Sequence, residues 1–182
     1  QVGVSVTDAV VTLTGHVRSY SEKRVAEKAA KRVAGVQAVA NDLTVRLPTD
    51  AVRDDSDLAL AAVNALHWHT SVPRDRVRVT VDDGWLTLEG EVDWYFQKQS
   101  AYKAVRNLTG LKGVTNLITL RPRLSTGRVR DDIEAALRRS AELDAKRIRV
   151  LAEGSAVKLE GNVRSWAEYQ DAEWAAWSAP GV

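Results

Sequence analysis

The sequence predicts an α+β protein built from tandem copies of a small α-β-β-α-β sandwich, and three observations carry that prediction. The chain repeats itself at two nearly equal offsets, each copy alternates strand-period with helix-period apolar patterns, and turn and cap residues recur at matching places. A shift of 75 residues lays Gly15 on Gly90 and Gly35 on Gly110, and "AAKRVAGVQAVANDLTV" (29–45) on "AVRNLTGLKGVTNLITL" (104–120) without a gap. A further shift of 71 lays Gly90 on Gly161 and Gly110 on Gly181. The copies are assigned to 1–47, which lacks the first helix, 53–121, which is complete, and 127–182, which lacks the last strand.

The elements follow in order from local chemistry. Copy one opens inside its first strand and turns at Asp8-Ala9. Alanine resists the left-handed conformation that the matching Asp83-Gly84 turn uses freely, so this turn is expected to be strained or of another type. Gly15, Gly90 and Gly161 each follow an alternating strand and stand two residues before a valine that continues it, which marks a bulge or a close backbone approach. Ser19-x-x-Glu22 and Ser165-x-x-Glu168 have capping-box spacing and open the second helix of their copies; Trp94 replaces the serine in the middle copy, where a weaker cap is expected. The middle copy reads as a helix from Ser56 to about His69, "VRVTV", the Asp83-Gly84 turn, "WLTLEGEV", a helix over Tyr95 to about Thr109, and "GVTNLITL". The links "PTDAVRD" and "RPRLSTG" are short enough that neighbouring copies should touch. Each copy is near the lower size limit for a self-sufficient core, so packing between copies should add stability.

"LTGHV", "LEGEV" and "LEGNV", each followed by an Ala-rich or aromatic helix, and then "GVQAVANDLTV" and "GLKGVTNLITL", resemble the BON domain, the bacterial osmotic-shock and nodulation domain. The tandem arrangement is similar to that of osmotically inducible members of the family. The resemblance covers almost the whole chain. It implies two helices on one side of a three-stranded sheet, and a phospholipid- or cell-envelope-binding role in stress protection without an established catalytic activity.

Composition narrows the classes further. The 182 residues carry 26 Lys and Arg against 24 Asp and Glu, a balance that gives no ground for a nucleic-acid partner, and no apolar run approaches the roughly 18 residues of a membrane span. There is no cysteine, hence no disulfide framework or thiolate metal site. The N-terminal glutamine leaves bacterial periplasm and cytoplasm equally open. The pairs Asp54-Asp55, Asp82-Asp83 and Asp131-Asp132 fall at turns or first helical turns, where carboxylates serve the backbone rather than acid–base chemistry. His67 and His69, two apart on a helix, point to different sides and form no metal site. With no nucleophile elbow and no Gly-rich phosphate loop, an enzyme is not expected, and neither is a cofactor; a stress-linked hydrolase ranks last.

The aromatic residues are the candidate binding positions. Tyr20, Tyr95 and Trp166 share one register at the start of the second helix, where they either pack under the helix entry or line an edge facing headgroups or a protein. In "WAEYQDAEWAAWSA", Ala172, Ala175, Ala176 and Ala179 fall within an arc of about 180–280° from Trp166 and meet the sheet, as Ala26, Ala29, Ala30 and Val33 do in copy one. Tyr169, Trp174 and Trp177 lie largely away from that arc, and the two tryptophans replace Lys28 and Lys31 of copy one and Lys103 and Arg106 of copy two. The second helices of copies one and two are net cationic and that of copy three is acidic. The expected partner is therefore a phospholipid surface or envelope component. The alternative is a protein scaffold, or self-association, through the copy-three aromatic face.

Overall fold

Alternation in "VRVTV" and "WLTLEGEV" puts valines and leucines on one face of a hairpin that needs a helical cover, and the computed structural model supplies two helices. It describes residues 1–121, 129–139, 147–153, 155–179 and 182. Part of the link at 121–127, and Gly181, lie outside the described residues. The elements are β1 (Val2–Thr7), β2 (Val10–Val17), α1 (Tyr20–Lys31), β3 (Ala38–Val45), α2 (Asp55–Trp68), β4 (Val77–Asp82), β5 (Trp85–Val92), α3 (Tyr95–Val105), β6 (Gly113–Asn116), β7 (Thr119–Leu120), α4 (Val129–Arg139), β8 (Ile148–Glu153), β9 (Ala156–Gly161) and α5 (Trp166–Trp177). The architecture is α+β, with small sheets ordered β1-β2-β3, β4-β5-β6 with β7 also on β5, and β8-β9.

In the central segment β5 runs antiparallel to β4 and parallel to β6 and β7, so α3 is the crossover that parallel pairing requires. Leu58, Ala62 and Leu66 of α2 and Ala101 and Val105 of α3 bury against Leu86, Leu88 and Val92, which share one face of β5. Val11, Leu13, Val17 and Leu43, at the matching positions of the first segment, are buried too. There, however, the valines of β1 (Val2, Val4, Val6) are exposed, whereas their counterparts Val77, Val79 and Val81 pack against the core beside α2. The inner face of α1 is correspondingly open: Ala30 is buried, but Ala29 is exposed, and Val33, beyond the helix end, is exposed rather than sheet-facing. In the last segment Ala172, Ala175, Ala176 and Ala179 are buried with Val129, Ile133 and Leu137 of α4 and Val150 of β8.

The recurring hydrogen bonds keep the sequence register. Gln37 N–H donates to Ala9 O at 2.9 Å as Lys112 N–H donates to Gly84 O at 2.9 Å, and Arg46 N–H donates to Val17 O at 2.8 Å as Arg121 N–H donates to Val92 O at 2.8 Å. Asn41 and Asn116 each accept, through Oδ1, the N–H two residues on. By proximity the chain groups into two compact units, one of Gln1–Val6, Thr12–Glu27 and Ala40–Arg121, the other of Thr7–Val11, Lys28–Val39 and Pro122–Val182.

The helix starts differ as their residues dictate. Ser19 Oγ accepts from Glu22 N–H at 3.1 Å while Glu22 Oε2 accepts from Arg18 N–H at 2.8 Å. Ser165 and Glu168 repeat the arrangement at 3.2 and 2.7 Å. Trp94 has no side-chain acceptor, and Gln97 Oε1 instead takes the N–H groups of Asp93 and Trp94 at 3.0 and 3.1 Å, so only half of the reciprocal cap survives.

Two backbone positions are under constraint. Asp8 and Ala9 have φ of 49° and 62°, close to the 45° and 74° of Asp83 and Gly84: the turn is of the same kind, with alanine held left-handed. A left-handed alanine costs about 1–2 kcal/mol, of which glycine's extra freedom in the unfolded chain offsets part. Ala9→Gly should therefore raise stability by about 0.5–1 kcal/mol, read as a higher melting temperature. Gly15, Gly90 and Gly161 occupy one site three times: a Cβ would run into the carbonyl oxygen of Gln1, Arg76 and Arg147 respectively. Since Gly90 also has φ of 137°, Gly90→Ala should cost about 3 kcal/mol in chemical denaturation; a loss below 1 kcal/mol would show that the carbonyl moves aside freely.

Candidate functional site

The aromatic at the start of each second helix has a specific neighbour. In the first unit Tyr20 is half-buried against the central core, and its hydroxyl lies 3.1 Å from that of Tyr102. Burial pushes the Tyr20 hydroxyl far above its ordinary range, with Tyr102 adding to the effect. The Tyr102 ring carries two guanidinium groups, Arg24 at 5.5 Å and Arg106 at 5.9 Å from its centroid. Burial, and then the charge of Arg24, lower the proton affinity of Arg106. Ser21 Oγ donates to Asn107 Oδ1 at 3.4 Å beside them. Tyr95 is half-buried and accepts from Gln99 Nε2 at 2.6 Å.

In the second unit Lys31 Nζ stands 5.6 Å over the Trp166 ring, and Gly35 N–H donates to Arg164 O at 3.2 Å. Lys31 and Arg106 are register equivalents, as are Trp166 and Tyr20. Trp166 therefore meets a cation from the last turn of another segment's helix directly, whereas Tyr20 reaches the equivalent cation, Arg106, only through Tyr102. Trp166 also meets Tyr169, with ring centroids 5.3 Å apart. Tyr169 and Trp177 line one open cleft of about 570 Å³ together with Ala172 and Ala176 of α5 and Val157 and Leu159 of β9. Val157 and Leu159 correspond to the fully buried Leu86 and Leu88, and the cleft adjoins β9 as β6 adjoins β5. Lys158 and Glu160, 2.7 Å apart on β9, stabilise each other's charged forms at its rim. Trp174 is 56% exposed and does not line the cleft, whereas Trp177 is half-buried in it.

A third surface escaped the sequence reading. On α2, Leu60 is 62%, Val63 49% and Trp68 88% exposed, on an arc opposite the buried Leu58, Ala62 and Leu66. The signal was present in "DLALAAVNALHW", a helix apolar nearly all round, but such a helix is ordinarily buried on every side. None of the described helices is long and apolar enough to cross a membrane.

Of the other candidates, Asp55 and Asp83 have structural partners. Asp55 accepts from Asp83 N–H and Gly84 N–H, each at 2.8 Å, and Lys112 Nζ reaches Asp83 Oδ1 at 2.6 Å, so these acids hold the β4–β5 turn. Asp131 and Asp132 sit in the first turn of α4. His67 lies in the last turn of α2, and His69 N–H caps the helix by donating to Leu66 O. Among the described residues no cluster of His, Asp or Glu could hold a metal ion.

The BON domain family model matches residues 1–46, 54–122 and 125–182. Over 119 residues, 63% of the chain, the sequence is 31% identical to osmotically-inducible protein Y of Escherichia coli (strain K12), and the match spans 59% of that protein's length. Two solved structures of CdsD, a structural protein of the type III secretion system of Chlamydia trachomatis, show looser likeness. One, a C-terminal domain, has a TM-score of 0.34 at 14% identity, covering 66% of this chain and 90% of its own; the other has 0.32 at 13%, covering 100% and 80%. These two are too distant to bear on function.

The two α5 tryptophans should separate on substitution. Trp174→Lys should change stability by no more than about 0.5 kcal/mol, whereas Trp177→Lys, which puts a charge into the cleft, should cost about 2 kcal/mol by thermal or urea melting. Equal effects would mean that the two rings share one environment.

Proposed function

Because the chain belongs to the BON domain family, we propose that it is a non-enzymatic binding protein of osmotic or general stress protection, made of three repeats over 1–47, 53–121 and 127–182, which associates with phospholipid surfaces of the bacterial cell envelope. The name of the Escherichia coli relative supports the stress role. The single observation carrying the lipid reading is the outward face of α2, where Leu60, Val63 and Trp68 stand in solvent. Burying a tryptophan ring at the headgroup boundary contributes about 2 kcal/mol, and each Lys or Arg near an anionic surface about 1 kcal/mol. α2 itself carries Asp55 and Asp57 and no Lys or Arg, so the cationic contribution has to come from α1 and α3. Neither contribution alone holds a protein on a membrane; together they give reversible, salt-sensitive binding.

A protein scaffold is the second reading, favoured by the β9 cleft. Among the described residues β9 pairs only with β8, and a strand edge of that kind beside Tyr169 and Trp177 is suited to an extended partner segment, with Trp174 at hand for further contact.

Co-sedimentation with phosphatidylcholine vesicles, with and without phosphatidylglycerol, separates the readings. The lipid reading expects binding that requires the anionic lipid, weakens several-fold between low and high salt, and falls about ten-fold in Trp68→Ala at unchanged melting temperature. Absence of vesicle binding at low salt, with a pull-down lost in Trp177→Ala, would transfer the function to the scaffold.

A further inference from the structure

We infer that Arg24, Arg106 and the paired hydroxyls of Tyr20 and Tyr102 form a binding site for a phosphate-type oxyanion, where the first and second segments meet within the first unit. The site does not depend on the α2 face that carries the proposed function.

The charges are the first argument. Arg24 and Arg106 stand at 5.5 and 5.9 Å from the same ring centroid, so two guanidinium groups are gathered around one side chain. No carboxylate among the described residues forms an ion pair with either. Elsewhere in this unit the arginines Arg76 and Arg121 do pair with acids, Asp93 and Glu91. Ring faces offset a bare cation only partly, and two neighbouring cations repel.

The donors are the second. Arg106 Nε is buried without a hydrogen-bond partner, which costs free energy unless something accepts from it. Only one proton can lie between the Tyr20 and Tyr102 oxygens, so the pair retains a second O–H donor. The Asn107 amide, whose oxygen takes the Ser21 hydroxyl, adds an N–H donor at the edge. Two guanidinium groups and a pair of hydroxyls gathered around one ring without an acid match a tetrahedral oxyanion better than a planar carboxylate, because phosphate offers more oxygens to share among them. The residues are half-buried, open enough for an ion to enter and dry enough for the contacts to count. Binding would neutralise the cluster and tie the two segments together.

Thermal melting of the whole chain in about 10 mM sodium phosphate, against sodium chloride at matched ionic strength, tests the site. The expected result is a melting temperature about 3 °C higher in phosphate, lost in both Arg24→Gln and Arg106→Gln and kept in Arg149→Gln on β8. General salting-out acts on all variants alike and so cannot imitate this pattern. Should Arg106→Gln fail to fold, Tyr102→Phe keeps the ring and removes one hydroxyl, and its shift should shrink. No difference between phosphate and chloride in the unaltered chain, or a full shift retained by Arg24→Gln, overturns the proposal. Once the shift is seen, vesicles containing phosphatidylglycerol identify the source of the oxyanion. Displacement from them by inorganic phosphate, but not in Arg24→Gln, assigns the site to a lipid headgroup; undisturbed vesicle binding assigns it to a free phosphate or a soluble phosphate ester.

Discussion

The approach of one backbone to another at Gly15, Gly90 and Gly161 is the constraint on which each segment depends. In all three places the second hairpin strand passes so close to the carbonyl just before the first strand that a side-chain carbon would overlap its oxygen. The contact fixes where the hairpin strands lie along each other. Val77 then faces Gly90, and Ile148 faces Gly161. That register puts Leu86 and Leu88 under the helices of the central segment, because a slip by one residue would turn every leucine to the other face. The glycine therefore governs packing through geometry, though it contributes no apolar surface of its own.

Upon that frame the second helices meet their neighbours by a repeated device. A helix-start aromatic sits by a cation at the end of another segment's helix, Tyr20 by Arg106 through Tyr102 in one unit and Trp166 under Lys31 in the other. This gives a structural reason for the shared register of these aromatics. It also accounts for part of the positive charge on α1 and α3, which in a single segment reads as a solvated face.

Much of this was legible in the sequence because glycine, capping pairs and alternating valines act locally. The α5 alanines were readable for the same reason, since helical spacing alone puts Ala172, Ala175, Ala176 and Ala179 on one side. What escaped depended on contacts distant in sequence. Tyr102, Arg24 and Arg106 look like ordinary helix-surface residues until Tyr20 is brought to them across 82 positions. Helical spacing turns Trp177 largely away from the alanine face, yet the cleft beside β9 takes it in half-buried. Leu60, Val63 and Trp68 were overlooked for the opposite reason, since an apolar helix is expected to hide all of its faces.

Among the described residues β9 is paired along one side only, with β8. A strand in that condition can recruit further strands indefinitely, the first step toward fibrils and precipitates. Its sequence answers that hazard with Lys158 and Glu160, two opposite charges linked across one residue in the middle of an otherwise apolar strand. Stacking identical strands in register would set lysine on lysine and glutamate on glutamate, and so penalise disordered growth while leaving a single, complementary visitor unhindered.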